Sequence, residues 1–265
     1  MSPRPLAGLD GPVALDGILC DIDDTLTWEG RLVPAALAAL EAAQQAGLKV
    51  IPVTGRPAGW VDHIARMWPV DGCVGENGGL WFWMDGGRLH RRFLQGEAER
   101  AANRAILDAA AADILAAVPG TALASDQPYR ALDLAVDFCE DVPPLPDAAV
   151  DAIVAAFTAR GATAKVSSIH VNGWIGAFDK LAGIRRFHAD RWGAPMVPER
   201  WAFFGDSAND EPMFAAFPLS VGVANVARFL PRLTHKPAWV TKGNGGHGFA
   251  EGIAHLLARL APSPG

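Results

Sequence analysis

The sequence predicts a doubly wound α/β fold, in which a parallel sheet carries helices on both faces, interrupted by an inserted α+β unit. Three observations favour this fold class. Short apolar runs alternate with helix-like segments in both the first and the last third of the chain. Several of these runs end abruptly in polar residues, as buried parallel strands often do. In the middle of the chain the pattern changes to hairpin and long-helix signals, which marks the insert.

The first third of the chain predicts a strand–helix–strand–helix–strand unit. Its strands are expected in the segments 17–26, 48–56 and 71–79, and its helices at 33–47 and 58–68. Pro34 at the start of the first helix and Gly47 at its end are typical helix boundary residues. This order predicts right-handed crossovers in a parallel sheet with helices packed on it.

The insert is expected to span residues 82–175, which leaves residues 1–81 and 176–265 as the core. An Asp-Gly-Gly turn joins two strand-like runs within 80–93 and predicts a hairpin. The rest of the insert predicts helices and strands in mixed order. The helices are expected at 97–118 and 147–161, and the strands at 130–138 and within 162–178. After the insert the α/β pattern resumes with a helix at 179–193 and strands that begin near 200 and 218.

The charge and composition exclude several classes of protein. The chain has 265 residues and a formal net charge of −6, so a protein that grips nucleic acid through its phosphates is not expected. Half of the residues are hydrophobic, which excludes disorder for the bulk of the chain. No apolar run approaches the length of a membrane span, and the N-terminus lacks the apolar stretch of a signal peptide. We therefore expect a cytoplasmic protein with no membrane partner; the sequence makes no prediction of its oligomeric state.

Polar clusters follow the predicted core strands or begin a core helix. They comprise residues 21–25 (Asp-Ile-Asp-Asp-Thr), residues 54–56 (Thr-Gly-Arg), Lys180, and residues 205–210 (Gly-Asp-Ser-Ala-Asn-Asp). Because a parallel sheet places all its strand ends at one edge, these clusters should converge.

The four clusters resemble the motifs of the haloacid dehalogenase superfamily of phosphohydrolases. Residues 21–25 match its DxDxT motif, Thr54 its second motif, Lys180 its third, and residues 205–210 its GDxxND form of the fourth. The position of the insert, and the Glu-Asn-Gly-Gly turn at 76–79, resemble the type IIB branch, which is Cof-like and includes sucrose phosphatases. The resemblance implies a Rossmann-like core with a C2-type cap, and we call residues 82–175 the cap.

The resemblance further implies a Mg²⁺-dependent phosphomonoesterase that acts through an aspartyl-phosphate on a phosphorylated sugar or similar small metabolite. Asp21, first after its strand, is placed to be the nucleophile. Asp23 suits a general acid for the leaving alkoxide and then a base for water. Thr54, Gly55, Lys180 and Asn209 are expected to bind the phosphoryl oxygens.

A hard cation would relieve the repulsion between carboxylates this close together, and Mg²⁺ prefers oxygen ligands. The expected ligands are the side chains of Asp21 and Asp206 and the backbone carbonyl of Asp23. Asp210 is expected in a second layer or as a ligand through water.

Several of these residues also have purely structural interpretations. Asn209 and Asp210 could cap a helix, and Arg56 could pair with an acidic residue of the core instead of touching substrate. In the cap, Ser168, His170 and Asn172 alternate, so they should share one face of a strand. We expect His170 and Asn172 to meet a hydroxylated leaving group, although a histidine there could equally be structural.

Two other functions use similar residues. A phosphomutase or phosphotransferase would pass the phosphoryl group from the same nucleophile to a sugar instead of water. A phospho-receiver module also combines acidic residues with a threonine and a lysine, but it would be about half this length and would leave the cap unexplained. The identity of the substrate does not follow from the sequence.

Overall fold

The computed structural model describes residues 2–261. The predicted core limits at residues 1 and 265 lie outside the described residues. Within them, the chain forms α-helices and strands in close agreement with the predicted order, and the predicted fold class is confirmed. The helices are α1 (Pro34–Gln45), α2 (Ala58–Met67), α3 (Glu97–Ala117), α4 (Asp147–Ala159), α5 (Lys180–Trp192), α6 (Glu211–Ala216) and α7 (Gly245–Leu257).

The strands alternate with these helices in the core and cluster between them in the cap. They are β1 (Arg4–Pro5), β2 (Gly17–Cys20), β3 (Thr27–Trp28), β4 (Arg31–Leu32), β5 (Lys49–Pro52), β6 (Cys73–Gly75), β7 (Leu80–Asp85), β8 (Arg88–Phe93), β9 (Ala122–Leu123), β10 (Leu134–Asp137), β11 (Thr163–Val166), β12 (His170–Trp174), β13 (Trp201–Gly205), β14 (Leu219–Gly222) and β15 (Trp239–Val240).

A six-stranded parallel sheet forms the centre of the core. Its strand order is β1-β15-β14-β13-β2-β5, and every neighbouring pair is parallel. The strand β2 lies between β13 and β5, so the first and fourth sequence motifs leave adjacent strands. The short strand β6 continues beside β5 through a parallel bridge between Val53 and Val74.

Helices cover both faces of this sheet because successive residues of its strands point to opposite sides. Ile18 and Cys20 of β2 belong to one hydrophobic cluster, which includes residues of α1 and α7. Leu19, between them, belongs to a second cluster with residues of α5 and α6. Because both faces of β2 are buried in this way, its residues form a continuous apolar run in the sequence.

The hairpin β7–β8 forms as predicted, with Gly86 and Gly87 at positive φ in its two-residue turn. Strand β7 also pairs with β6, so β6, β7 and β8 form a separate antiparallel sheet. Trp81 and Trp83 are buried in the second core cluster. The hairpin thus packs on the core, although most of it was expected within the insert.

The remainder of the insert forms an antiparallel sheet with the order β11-β12-β10-β9. Helices α3 and α4 pack against this sheet, and a third hydrophobic cluster lies between them, with members from Leu107 to Val171. A hydrophobic core of its own supports the proposed cap, whose limits at residues 82 and 175 remain a prediction.

None of the helices among residues 2–261 combines the length and the apolar character needed to cross a bilayer.

Gly78 is the position where the core depends most directly on a missing side chain. It has a φ of +100° in the turn after β6, and a Cβ there would overlap the backbone oxygen of Asp179, just before α5. We predict that Gly78→Ala lowers the free energy of unfolding by about 3 kcal/mol, because strain and overlap add. Urea unfolding followed by circular dichroism measures this loss. Gly8→Ala is the control, since a Cβ there meets nothing within 4 Å; equal losses for both variants would contradict the prediction.

Candidate active site

The carboxyl ends of three neighbouring strands place polar side chains at one edge of the sheet. Asp21 follows β2, Asp206 follows β13, and Thr54 lies two residues beyond β5. Lys180 begins α5, whose start is fixed by Asp179, because the side chain of Asp179 accepts a hydrogen bond of 2.8 Å from the backbone N–H of Ala182. The four predicted motifs therefore meet at this edge.

Lys180 joins two of these motifs in a buried ion-pair network. Its Nζ lies 2.7 Å from Oδ1 of Asp21 and 2.7 Å from Oδ1 of Asp210, and only 1% of its surface is exposed. Burial alone lowers the pKa of a lysine, but the two carboxylates outweigh burial and raise the pKa of Lys180. The ammonium group is therefore charged and fixed beside Asp21, the first carboxylate of the first motif.

Three buried carboxylates, those of Asp21, Asp206 and Asp210, form a group that can hold a cation. One oxygen from each lies within 4.8 Å of the others. Oδ1 of Asp206 is buried and has no hydrogen-bond partner among the described residues. Burial raises the pKa of Asp21 to about 7 against the opposing effect of Lys180, and burial followed by the neighbouring Asp21 raises that of Asp206. Hard oxygen donors with excess negative charge fit Mg²⁺.

Asp210 and Asn209 have structural contacts in addition to their place at the site. Oδ2 of Asp210 accepts hydrogen bonds from the backbone N–H groups of Asp206 and Ser207. The bond from Ser207 belongs to a capping box, in which the Ser207 side chain accepts in turn from the backbone N–H of Asp210. Asn209 lines the cleft above the carboxylates, and its Nδ2 lies 3.3 Å from Oδ1 of Asn77. The capping interpretation and the site interpretation of these two residues are therefore compatible.

Thr54 and Gly55 stand where the second motif was expected. Thr54 is fully buried, and its Oγ1 accepts a hydrogen bond of 3.0 Å from the backbone N–H of Arg56. Gly55 lines the cleft, and its carbonyl oxygen accepts a hydrogen bond of 2.9 Å from Nη1 of Arg130. This loop therefore joins the core edge to the cap.

Asp23 is held by Arg56. Nε of Arg56 lies 3.0 Å from both carboxylate oxygens of Asp23, and Nη2 lies 2.8 Å from Oδ1. The side chain of Asp23 lines the cleft with Asp21 but is not a member of the three-carboxylate group. Arg56 does pair with an acidic residue of the core, as one interpretation of the sequence held.

Arg56 also reaches two acidic residues of the cap. Its Nη1 lies 3.2 Å from Oδ2 of Asp126, and its Nη2 lies 2.6 Å from Oε1 of Glu140. One guanidinium group therefore touches Asp23 on the core and two carboxylates on the cap. In this structure the cap is closed over the core at this point.

His170 and Asn172 lie on β12 and face the same cleft, two residues apart on one side of the strand. Nε2 of His170 lies 2.8 Å from Oε2 of Glu140, and Nδ2 of Asn172 donates a hydrogen bond of 3.0 Å to Asp133. Ser168 does not share their strand, because β12 begins at His170 and Ser168 lies in the preceding turn. The residues that line the cleft are Asp21, Asp23, Gly55, Arg56, Arg130, Ser167, Ile169, His170, Asn172 and Asn209.

Several contributors were missed from the sequence. Arg130 and the acidic residues Asp126, Asp133 and Glu140 all come from the cap, outside the four motifs. Glu140 follows β10 by three residues, so the rule that ligand groups gather after strands could have drawn attention to it.

Asn225 of the core was missed too. Its Nδ2 donates to Oδ2 of Asp206 at 3.1 Å and to the carbonyl of Asp24 at 2.9 Å. It therefore ties the first motif to the fourth from a loop that the motifs do not include.

Comparisons with known proteins agree with this geometry. The sequence model of a family described as haloacid dehalogenase-like hydrolase matches residues 18–102. No curated protein sequence is significantly similar to the chain.

Solved structures share the fold over almost the whole chain. The sucrose phosphatase from Synechocystis, solved with sucrose and phosphate, has a TM-score of 0.65 at 17% identity, covering 91% of this chain and 98% of its own. A HAD/Cof-like hydrolase from Plasmodium vivax has a TM-score of 0.66 at 16% identity, covering 93% and 96%. A subclass IIB sugar phosphatase of the same superfamily has a TM-score of 0.61 at 14% identity, covering 91% and 98%.

These findings confirm the resemblance seen in the motifs and agree with the expected enzyme class. The family match covers the first two motifs, and the shared fold extends over the cap and the two later motifs. The chain therefore resembles the haloacid dehalogenase-like hydrolases in sequence over residues 18–102, and it shares its fold with these solved structures over more than nine-tenths of its length.

Proposed function

We propose that the chain is a Mg²⁺-dependent phosphomonoesterase that acts through an aspartyl-phosphate on Asp21, with a phosphorylated sugar or similar small metabolite as substrate. The observation that carries the proposal is the buried group of Asp21, Lys180, Asp206 and Asp210 beneath a cleft with polar cap residues. The names of the structural neighbours, among them sucrose phosphatase and sugar phosphatase, support the class of substrate.

The first step is attack by a carboxylate oxygen of Asp21 on phosphorus, with loss of the bond to the leaving-group oxygen. The departing alkoxide takes a proton from Asp23. This role requires that Asp23 turn an oxygen from Arg56 toward the leaving group, because Arg56 contacts both of its oxygens here. Lys180 neutralises charge on the transferring group from its position beside Asp21.

The second step is attack of water on the phosphorus of the aspartyl-phosphate. Asp23 takes the proton of that water, and the carboxylate of Asp21 is regenerated as inorganic phosphate leaves. Gly55 and Asn209 line the cleft and Thr54 is buried directly before Gly55, and we assign a hydroxyl, a backbone group and an amide from these three residues to the phosphoryl oxygens. We assign the cap residues His170 and Asn172, which line the cleft, to the leaving-group side.

The carboxylates of Asp21 and Asp206 would hold Mg²⁺, with the backbone carbonyl of Asp23, and Asp210 would support them. The ion supplies positive charge that brings the phosphoryl oxygens and the Asp21 carboxylate together. Lys180 already pairs with Asp210, which leaves Asp206, with its unpartnered Oδ1, as the carboxylate most in need of a cation.

We predict that Asp21→Asn abolishes turnover of p-nitrophenyl phosphate, because an amide does not attack phosphorus at a useful rate.

Asp23→Asn should reduce hydrolysis of alkyl phosphates severely and that of aryl phosphates less, since aryl leaving groups need less protonation. Phosphate release measures both. Asp10→Asn, a change at an exposed residue outside the cleft, serves as the control. Equal losses on both ester types in Asp23→Asn would remove the acid role, and a sugar phosphate formed in place of inorganic phosphate would indicate a phosphotransferase.

We also predict that hydrolysis requires a divalent cation, with Mg²⁺ best and Ca²⁺ inhibitory, because Ca²⁺ accepts more oxygens and disturbs the position of Asp21. Asp206→Ala should raise the Mg²⁺ concentration needed for half-maximal activity. Mg²⁺ should also raise the melting temperature of the wild-type protein and raise that of Asp206→Ala less, since a ligand stabilises the state that binds it. Full activity in EDTA would contradict the cation assignment.

A further inference from the structure

Two arginines line the cleft, and carboxylates surround both of them. Arg56 contacts Asp23 of the core and Asp126 and Glu140 of the cap. Its side chain is 8% exposed, so these pairs are largely withdrawn from water. Each of the three guanidinium nitrogens of Arg56 donates a hydrogen bond to a carboxylate, so none is free of a partner to bind a second anion on a substrate.

Arg130 is satisfied in the same way. Its Nη2 lies 2.9 Å from Oδ1 of Asp126, its Nη1 lies 3.0 Å from Oδ1 of Asp133, and its side chain is fully buried. Nη1 also donates to the carbonyl oxygen of Gly55. Asp126 is therefore shared between the two arginines.

The leaving-group side of the cleft consequently carries an excess of negative charge. Behind the two arginines that line the cleft stand three cap carboxylates, those of Asp126, Asp133 and Glu140, and Asp23 of the core adds a fourth negative charge whenever it is ionised. The other buried cation at the site, Lys180, is engaged by Asp21 and Asp210 on the phosphoryl side.

The loop after β10 holds Glu140, one of the three cap carboxylates, in a fixed position. The carboxylate of Asp137 accepts hydrogen bonds from the backbone N–H groups of Cys139, Glu140 and Asp141 at 2.7–2.9 Å, which holds the loop after β10. Burial raises the pKa of Glu140, but the close approach of His170 at 2.8 Å and the hydrogen bond from Arg56 outweigh burial and lower that pKa to about 2. Glu140 is therefore ionised at neutral pH.

We propose that Glu140 is a specificity-determining residue of the cleft. Together with the other carboxylates around Arg56 and Arg130, it excludes substrates whose leaving group carries a second anion. The substrates that remain are phosphate esters whose leaving group is an uncharged polyol or bears an amine. This inference rests on the proposed phosphatase function and narrows its class of substrate.

The physical reason is the cost of placing an anion in this cleft. A carboxylate or second phosphate on the leaving group would lose its hydration beside two arginines whose positive charge is already exceeded by the cap carboxylates behind them. Hydroxyl groups donate hydrogen bonds, and an ammonium group also adds a favourable charge, so both suit carboxylate partners.

Matched phosphate esters test this inference. Glucitol 6-phosphate and 6-phosphogluconate have the same six-carbon chain but differ at C1, which is an alcohol in one and a carboxylate in the other. We expect wild-type kcat/KM to be at least about tenfold higher for glucitol 6-phosphate, the effect of a unit charge several ångströms from a net negative charge at a partly buried site. Glucosamine 6-phosphate should be hydrolysed at least as well as glucose 6-phosphate.

Two variants assign the effect to Glu140. Glu140→Gln should raise the ratio of kcat/KM for 6-phosphogluconate to that for glucitol 6-phosphate by about fivefold to tenfold, as the removal of one nearby charge would. It should also reduce the preference for glucosamine 6-phosphate. Asp141→Asn removes the same charge from the next residue, which is exposed, and should leave both ratios unchanged. Ratios within one variant cancel any general loss of activity.

The proposal is overturned if the wild-type protein hydrolyses 6-phosphogluconate as well as glucitol 6-phosphate, or if both variants shift the ratios equally. Titration calorimetry of the two esters with Asp21→Asn in Mg²⁺ gives the same comparison without turnover. Tighter binding of glucitol 6-phosphate supports the inference even if no ester is hydrolysed, in which case only the phosphatase proposal fails. Equal binding of both esters, or binding of neither, overturns the inference.

Discussion

The crowding of three carboxylates at the end of one parallel sheet is the constraint on which the candidate site depends. Asp21, Asp206 and Asp210 are buried together because β2 and β13 are neighbours and end at the same edge. A single buried lysine is not enough to neutralise them, so the site retains a demand for positive charge. That demand is what connects the fold to the proposed chemistry, in which a cation and a phosphoryl group would enter together.

The edge of the sheet could be predicted from the sequence because strand polarity alone determines it. Once the apolar runs before Asp21, Thr54 and Asp206 are interpreted as parallel strands, their carboxyl ends must lie together. Lys180 could be added because it begins a helix that returns to the same sheet. The pairing of Lys180 with both Asp21 and Asp210 needed the structure, since sequence position does not determine which of several nearby acids a lysine reaches.

The contacts between core and cap could not be predicted, for a physical reason. Arg56 and Glu140 are 84 positions apart, and no periodicity in the sequence encodes a pair formed when two separate hydrophobic clusters meet. The prediction that Ser168 shares a strand face with His170 and Asn172 was wrong for a more local reason. Pairing of β11 with β12 ends at Val166 and Val171, so the alternating pattern was extended into a turn.

The loop after β10 has a consequence for how this protein can diverge. Asp137 contacts this loop through the backbone N–H groups of the loop, so these three bonds do not require particular side chains at the next positions. A gene copy could therefore exchange residue 140 for one of different charge or size while the frame beneath it stays the same. New chemistry at the mouth of the site would then be reached by single codon changes, with the carboxylates and lysine at the sheet edge left intact.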